Sequence, residues 1–170
     1  KLDGAISRAT TPKKWKLQEI VFDESGKWVD NWFSNMKDAD VRHRGMFFKS
    51  SENAYQAAKC VNIEDASYIA SLPSHKSKLS IKKFQQHENF QLMKLNIMYN
   101  ILQNKVALND DFKEKLLSTG NIDIVEFNNW NDTFWGINIE TREGQNMLGK
   151  LLMKVRTEIK QELLKVKNFI

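Results

Sequence analysis

Apolar residues change their spacing near residue 50. Upstream of it, LQEIVF at 17–22, WVDNWF at 28–33 and MFFKS at 46–50 are short apolar or aromatic runs of the kind that form strands. Asp23 to Lys27 supplies a glycine-containing turn and predicts a hairpin between the first two. Downstream the apolar spacing lengthens to three and four residues. Ser51 before Glu52 predicts an N-cap and a helix to about Val61, and NIEDASYIASL predicts a second helix ending before Pro73. Helices are also expected over 77–84, 88–103 and 110–117; in the longest, Leu92, Leu95, Met98, Tyr99 and Leu102 form a core stripe. IDIVEF at 122–127 reads as a strand, and Gln145 to about Lys165 as a closing helix with Leu148, Leu151, Leu152, Val155 and Ile159 inward. No repeat or low-complexity linker interrupts the pattern. The expected architecture is α+β: a single compact, mainly helical domain over 18–170 with a small β-sheet, after a basic, flexible segment over 1–17.

Composition narrows the class. A chain of 170 residues, 41% of them hydrophobic, can bury a sizeable core but is short for two full domains. It has no run of eighteen apolar residues, and KLDGAISRAT at its start has no apolar core, so neither a membrane span nor a signal peptide is expected. A soluble, cytoplasmic protein is the expectation. Of the net charge of +5, +4 comes from residues 1–17, where Lys1, Arg8, Lys13, Lys14 and Lys16 face Asp3 alone. The remainder is nearly neutral, which is a solvated terminus before it is a nucleic-acid surface. Cys60 has no partner for an internal disulfide and reads as a small buried hydrophobe. His43, His75 and His87 lack ligand spacing with carboxylates or with Cys60, so no metal is expected.

The candidate chemistry lies in SSENAYQAAK at 50–59. Read as a helix, this segment puts Glu52 and Lys59 two turns apart on one side, with Tyr55 and Gln56 between them. A lysine side chain leans back toward the helix N-terminus, so one small substrate could touch both ends of the stripe. A solvated polar face opposite Ala54, Ala57, Ala58 and Val61 is the ordinary reading of such a stripe. A second polar and aromatic cluster, NNWNDTFWGINIETREGQNMLG at 128–149, weighs against it.

Five ordered blocks resemble the YbiA-like or NADAR family: WFSNM at 32–36, SSENAYQAAK, LLSTGNIDIVE at 116–126, NDTFWGI at 131–137 and GQNMLGKLLMKVR at 144–156. The resemblance implies an N-glycosidase that cleaves a bond between ribose and a nitrogen, without a cofactor. Its substrate would be ADP-ribose on guanine, free or carried on DNA or RNA, or a phosphorylated riboflavin-pathway intermediate. By the same resemblance Lys59 would attack the anomeric carbon and hold the sugar as a Schiff base, and Glu52 would serve as general acid/base. Asp132 would orient a ribose hydroxyl or activate water, although such a residue also caps turns. Trp135 and Trp32 offer flat faces for a base, and Tyr55, Gln56, Phe33, Ser34 and Asn35 lie in the matching blocks. Gly136 would let the backbone approach the ligand, Asn146 would sit in the first turn of the closing helix where anions are favoured, and Arg42 and Arg44 would meet phosphates.

Two departures qualify the match. Phe90 stands where the family often has tryptophan, four residues before Lys94, and keeps a flat face without the indole donor. SHKSKLSIKKF lacks the family's G-R pair, so that phosphate contact would fall to Lys78, Lys82 or Lys83, as a point charge rather than a fork. Two other classes make distinct predictions. A non-catalytic ADP-ribose-binding module would need the pocket but not Lys59, and a nucleic-acid-binding protein would lose its partner with residues 1–16. The oligomeric state is left open.

Overall fold

The computed structural model describes residues 19–22 and 31–169, so the basic segment, the turn at 23–27 and the first half of WVDNWF lie outside the described residues. The class is α+β, as expected, and the chain divides into two compact units, one holding residues 35–113 and the other the flanking pieces.

The flanking unit holds a three-stranded sheet. Strand β1 (Glu19–Phe22) pairs in parallel with β4 (Asp123–Asn128), which pairs in parallel with the short β5 (Ile137–Asn138). Among the described residues β1 takes part in a parallel ladder, and Asn31–Phe33, the end of the expected second strand, form a 3-10 helix. In β4 every residue from Ile124 to Asn128 is buried, because a central strand covered on both faces has no polar side to alternate with. The closing helix α6 (Met147–Phe169) packs Leu148, Leu152, Met153 and Val155 into the core with Ile124, Val125 and Phe127. Arg156, itself buried, donates from Nη1 to Thr119 Oγ1 and to the Ile122 carbonyl, both at 2.7 Å, and so anchors the helix to the loop before β4.

In the unit of residues 35–113, strands β2 (Asp38–His43) and β3 (Met46–Ser50) form an antiparallel hairpin. Its two turn residues, Arg44 and Gly45, have φ of +51° and +79°, the left-handed pair that suits the right-handed twist of two-residue hairpins. Helix α1 (Ser51–Ala57) follows at once. Its N-cap is Ser50 rather than Ser51: Ser50 Oγ accepts from the Asn53 N–H at 3.1 Å. Asn53, fully buried, donates to the carbonyls of Ile69 and Leu72 and so ties α1 to the end of α2 (Ile63–Ser71). Helix α3 (Ser74–Ser80) continues into a 3-10 turn at Ile81–Lys83, so the helix expected over 77–84 begins three residues early and tightens before its end.

The long helix α4 (Phe90–Leu108) departs from the expected stripe. Leu92 is 84% exposed and Leu95 37%; the buried side instead carries Phe90, Ile97, Met98, Ile101, Leu102, Lys105 and Val106. Apolar residues surround this helix, so spacing alone does not choose a face. Helix α5 (Asp110–Ser118) closes the segment and spans the boundary between the units.

Lys105 is 1% exposed, and its Nζ has no hydrogen-bond partner and lies 4.4 Å from the Phe112 ring centroid. Burial pushes its pKa down to about 7, reinforced by Lys37 and opposed by Asp111. The unfolded lysine holds its proton to about 10.5, so between pH 7 and pH 10 the unfolded state binds more protons and folding stability rises with pH. Lys105→Met is expected to flatten that slope in chemical denaturation and to raise stability at pH 7 by on the order of 1 to 3 kcal/mol, the cost of a buried donor left unpaired.

Candidate active site

Helix α1 and the turn after it gather the expected stripe. From Ser51 to Cys60 every residue is buried except Lys59, which is half-buried. The helix ends at Ala57, short of the expected Val61, because the backbone after it finds other partners. The Lys59 carbonyl accepts from the His87 N–H at 2.8 Å and the Val61 N–H donates to the Gln85 carbonyl at 3.1 Å, flanking a bridge between Cys60 and Gln86. Lys59 keeps its place on the stripe because Ala58 is still helical in φ and ψ and the Lys59 N–H still donates to the Gln56 carbonyl.

The side chains converge. Gln56 Nε2 donates to Glu52 Oε2 at 2.5 Å, and the Glu52 N–H donates to the Asn35 carbonyl at 2.9 Å. Glu52 is 4% exposed, so its carboxyl faces other protein groups more than bulk water. Gln56 Oε1 and Asn35 Oδ1 are buried acceptors with no hydrogen-bond partner. Tyr55 and Phe90 meet edge to face, centroids 5.3 Å apart, and Lys59 Nζ lies 5.1 Å and 5.5 Å from their respective ring centroids. Burial among these rings lowers the Lys59 pKa from its ordinary 10.5; Glu52 opposes the shift, and the positive charges of Lys78 and Lys94 add to it. The net direction is down, so burial outweighs the carboxylate. Cys60, beside it, is buried, and desolvation with the nearby Asp65 pushes its thiol up to about 11, which leaves it protonated and unreactive at neutral pH.

Arg42 stands apart from this cluster. It is exposed, on the side of β2 opposite the buried Val41 and His43, with its guanidinium 5.3 Å from the Phe47 ring centroid. Arg44 is exposed in the hairpin turn.

The other expected residues lie in the flanking unit, where Asp132, Gly136 and Asn146 gather around the end of β4. Asp132 Oδ1 accepts from the backbone N–H groups of Phe134 and Trp135 at 3.1 and 2.9 Å, and Asn128 brackets the same residue by bonding its N–H and its carbonyl. Turn capping is thus the observed work of Oδ1. Trp135 is half-buried, edge-on to Phe134 with centroids 4.9 Å apart. Trp32 is half-buried, whereas Phe33 and Ser34 are buried. The space beside Gly136 is taken from within the protein: a Cβ there would meet Glu126 Oε2 at 2.7 Å and Asn128 Nδ2 at 2.9 Å.

Asn146 differs most from its expected place. It precedes α6 with φ of +53°, and both polar atoms of its buried side chain are engaged by β4. Oδ1 accepts from the Glu126 N–H at 2.9 Å and Nδ2 donates to the Ile124 carbonyl at 2.9 Å. Since β5 pairs only with Phe127 and Asn128, the side-chain amide extends the ladder where that strand has run out. Reasoning from sequence also missed Glu126, a carboxylate 1% exposed at the centre of this cluster. The signal available was the acidic residue inside an otherwise apolar strand run.

Among the described residues no group of three or more His, Cys, Asp or Glu is arranged to hold a metal, and no helix is long and apolar enough to cross a membrane. Over 137 residues the chain is 34% identical to an N-glycosidase of Nostoc punctiforme, a match covering 77% of this chain and 86% of the relative. It is 28% identical over 134 residues to a riboflavin biosynthesis protein of Vibrio vulnificus, covering 76% of this chain and 36% of that longer protein. The fold is that of the E. coli protein YbiA, solved by NMR, with a TM-score of 0.73 at 23% identity over 87% of this chain and 89% of the other. The NADAR domain family matches residues 18–160, most of the chain's length, and the protein belongs to that family.

Proposed function

We propose that the protein is an N-glycoside hydrolase that cleaves a ribosyl–nitrogen bond, with Lys59 as nucleophile and Glu52 as general acid/base. The observation that carries this reading is a lysine whose pKa is lowered by burial although a carboxylate stands beside it. A surface ion pair would shift it the other way. In the proposed reaction Glu52 protonates the ring oxygen as the ribosylamine opens to an iminium, and the unprotonated Lys59 amine adds to its anomeric carbon and returns a proton to Glu52. Glu52 then protonates the departing nitrogen, which leaves with the bond's electron pair. The sugar remains as a Schiff base on Lys59 until water adds, losing a proton to Glu52, and hydrolysis frees the lysine and the sugar. Named N-glycosidases among the relatives support the reaction class.

For the substrate we take ADP-ribose attached to guanine, free or in nucleic acid. Lys78 and Lys94, whose charges reach Lys59, would complement its phosphates, and the paired rings of Tyr55 and Phe90 provide an apolar wall. The riboflavin biosynthesis relative favours a second reading, in which the leaving group is the amine of a phosphorylated pyrimidine precursor. Mass spectrometry of ADP-ribosylated guanosine incubated with the protein tests the first, with released ADP-ribose the expected product. Release only from riboflavin intermediates would move the assignment to the second reading, and binding without release from either would make the protein a recognition module. Glu52→Gln is expected to lower turnover by about 10²- to 10⁴-fold, the usual contribution of a positioned acid/base.

A further inference from the structure

The chain that returns to α1 ahead of α4 sets the surroundings of the Lys59 nitrogen. His87 donates its N–H to the Lys59 carbonyl at 2.8 Å, and its own carbonyl accepts from the Phe90 N–H at 3.2 Å, so one short segment fixes both the lysine backbone and the ring that opens α4. Phe90 is 4% exposed, and Tyr55, on α1, is 8% exposed. Lys59 Nζ lies over both rings, 5.1 Å from the Tyr55 centroid and 5.5 Å from that of Phe90, inside the reach of about 6 Å at which a ring face attracts a cation. A ring face holds such a charge without taking its proton.

We propose that Tyr55 and Phe90 stabilise the positive charge that the reaction places on the Lys59 nitrogen, a catalytic part beyond that of an apolar wall. This rests on the Schiff-base reading above. The attacking amine is neutral and gains little from a ring face. It gives its electron pair to the anomeric carbon, passes one proton to Glu52 and expels the leaving nitrogen, which departs with the electrons of its own bond. What remains is the N–H of a carbon–nitrogen double bond, carrying a full positive charge where the two rings face it. The ring quadrupoles attract this state and not the free amine, so the interaction lowers the barrier instead of tightening the resting enzyme.

Fluorination of the Phe90 ring is the test, because fluorine draws electron density from the face while nearly preserving the shape. Mono-, di- and trifluorinated phenylalanine are introduced at position 90, and the Lys59 side chain of each substrate-free protein is titrated by NMR. The inflection is expected to move to lower pH along the series, since the ammonium loses the same attraction. With ADP-ribosylated guanosine, the rate at which borohydride traps an adduct on Lys59 is then measured on the alkaline side of every inflection, where the amine is already free. That rate is expected to fall stepwise, by about two- to fivefold with three fluorines, for the loss of one cation–ring contact. A wild type that traps the adduct, with a rate or a titration that three fluorines leave unmoved, would overturn the proposal alone. Absence of the adduct in the wild type would overturn it together with the Schiff-base reading.

Discussion

Lys59→Ala is expected to lower glycosidic turnover by about 10³-fold or more, since it removes the proposed nucleophile rather than a group that assists it. Folding should survive. Lys59 is half-buried at the end of α1 and burial disfavours its charge, so its removal is expected to leave the melting temperature unchanged or slightly higher. Lys59→Arg is the sharper companion, because arginine keeps the charge and most of the bulk but stays protonated at any working pH. It is expected to be as inactive as the alanine variant. The pH profile follows from the same group. Only the free amine attacks, so turnover should fall as pH drops through the Lys59 pKa, an inflection placed below the ordinary 10.5 by burial with Lys78 and Lys94. Neutralising Lys94 as Lys94→Gln removes one of those charges and should move the inflection upward. A pure binding module would retain most of its affinity in Lys59→Ala and show no such inflection.

Gly149→Ala is expected to destabilise the fold by about 3 kcal/mol or more, which inverts the usual gain of roughly 1 kcal/mol for replacing a helical glycine. A Cβ at this position would lie 2.2 Å from the Ile124 carbonyl oxygen and 2.5 and 2.6 Å from the two polar atoms of the Asn146 side chain. Two of those atoms form the bond by which Asn146 extends the ladder of β4. The methyl group must therefore lift the start of α6 off the strand or expel the amide, leaving buried backbone groups of Ile124 and Glu126 unpaired. Thermal unfolding that shows Gly149→Ala within about 1 kcal/mol of the wild type would contradict this account of the glycine.

The α1 stripe was legible because seven residues make two helical turns whatever surrounds them, and that spacing survives even though the helix stops at Ala57. Where it stops was not legible, since the bonds from Gln85 and His87 that replace the helical ones come from residues about 26 positions downstream. The face of α4 failed for a related reason: Leu92 and Leu95 are as apolar as Ile97 and Ile101, and only the packing against its neighbours decides which are covered. Residues 38–43 were passed over because polar side chains alternate with Val41 and His43, and a hairpin turn of Arg44 and Gly45 is weaker punctuation than Asn-Gly. In the cluster around Asp132, residue types were visible but their occupations were not. Asn146 looks like a ligand-binding amide in sequence and is a surrogate strand residue in the fold, and Glu126 emerges only when β4 is seen to be buried on both faces.

The most direct measurement of the central claim is borohydride trapping. Wild-type protein mixed with ADP-ribosylated guanosine and sodium borohydride, then digested and sequenced by mass spectrometry, is expected to carry a reduced ribosyl adduct on Lys59 and on no other lysine, with none in Lys59→Ala. Rapid release of ADP-ribose with no adduct on Lys59 would contradict the Schiff-base mechanism, and an adduct on another lysine would move the nucleophile away from α1.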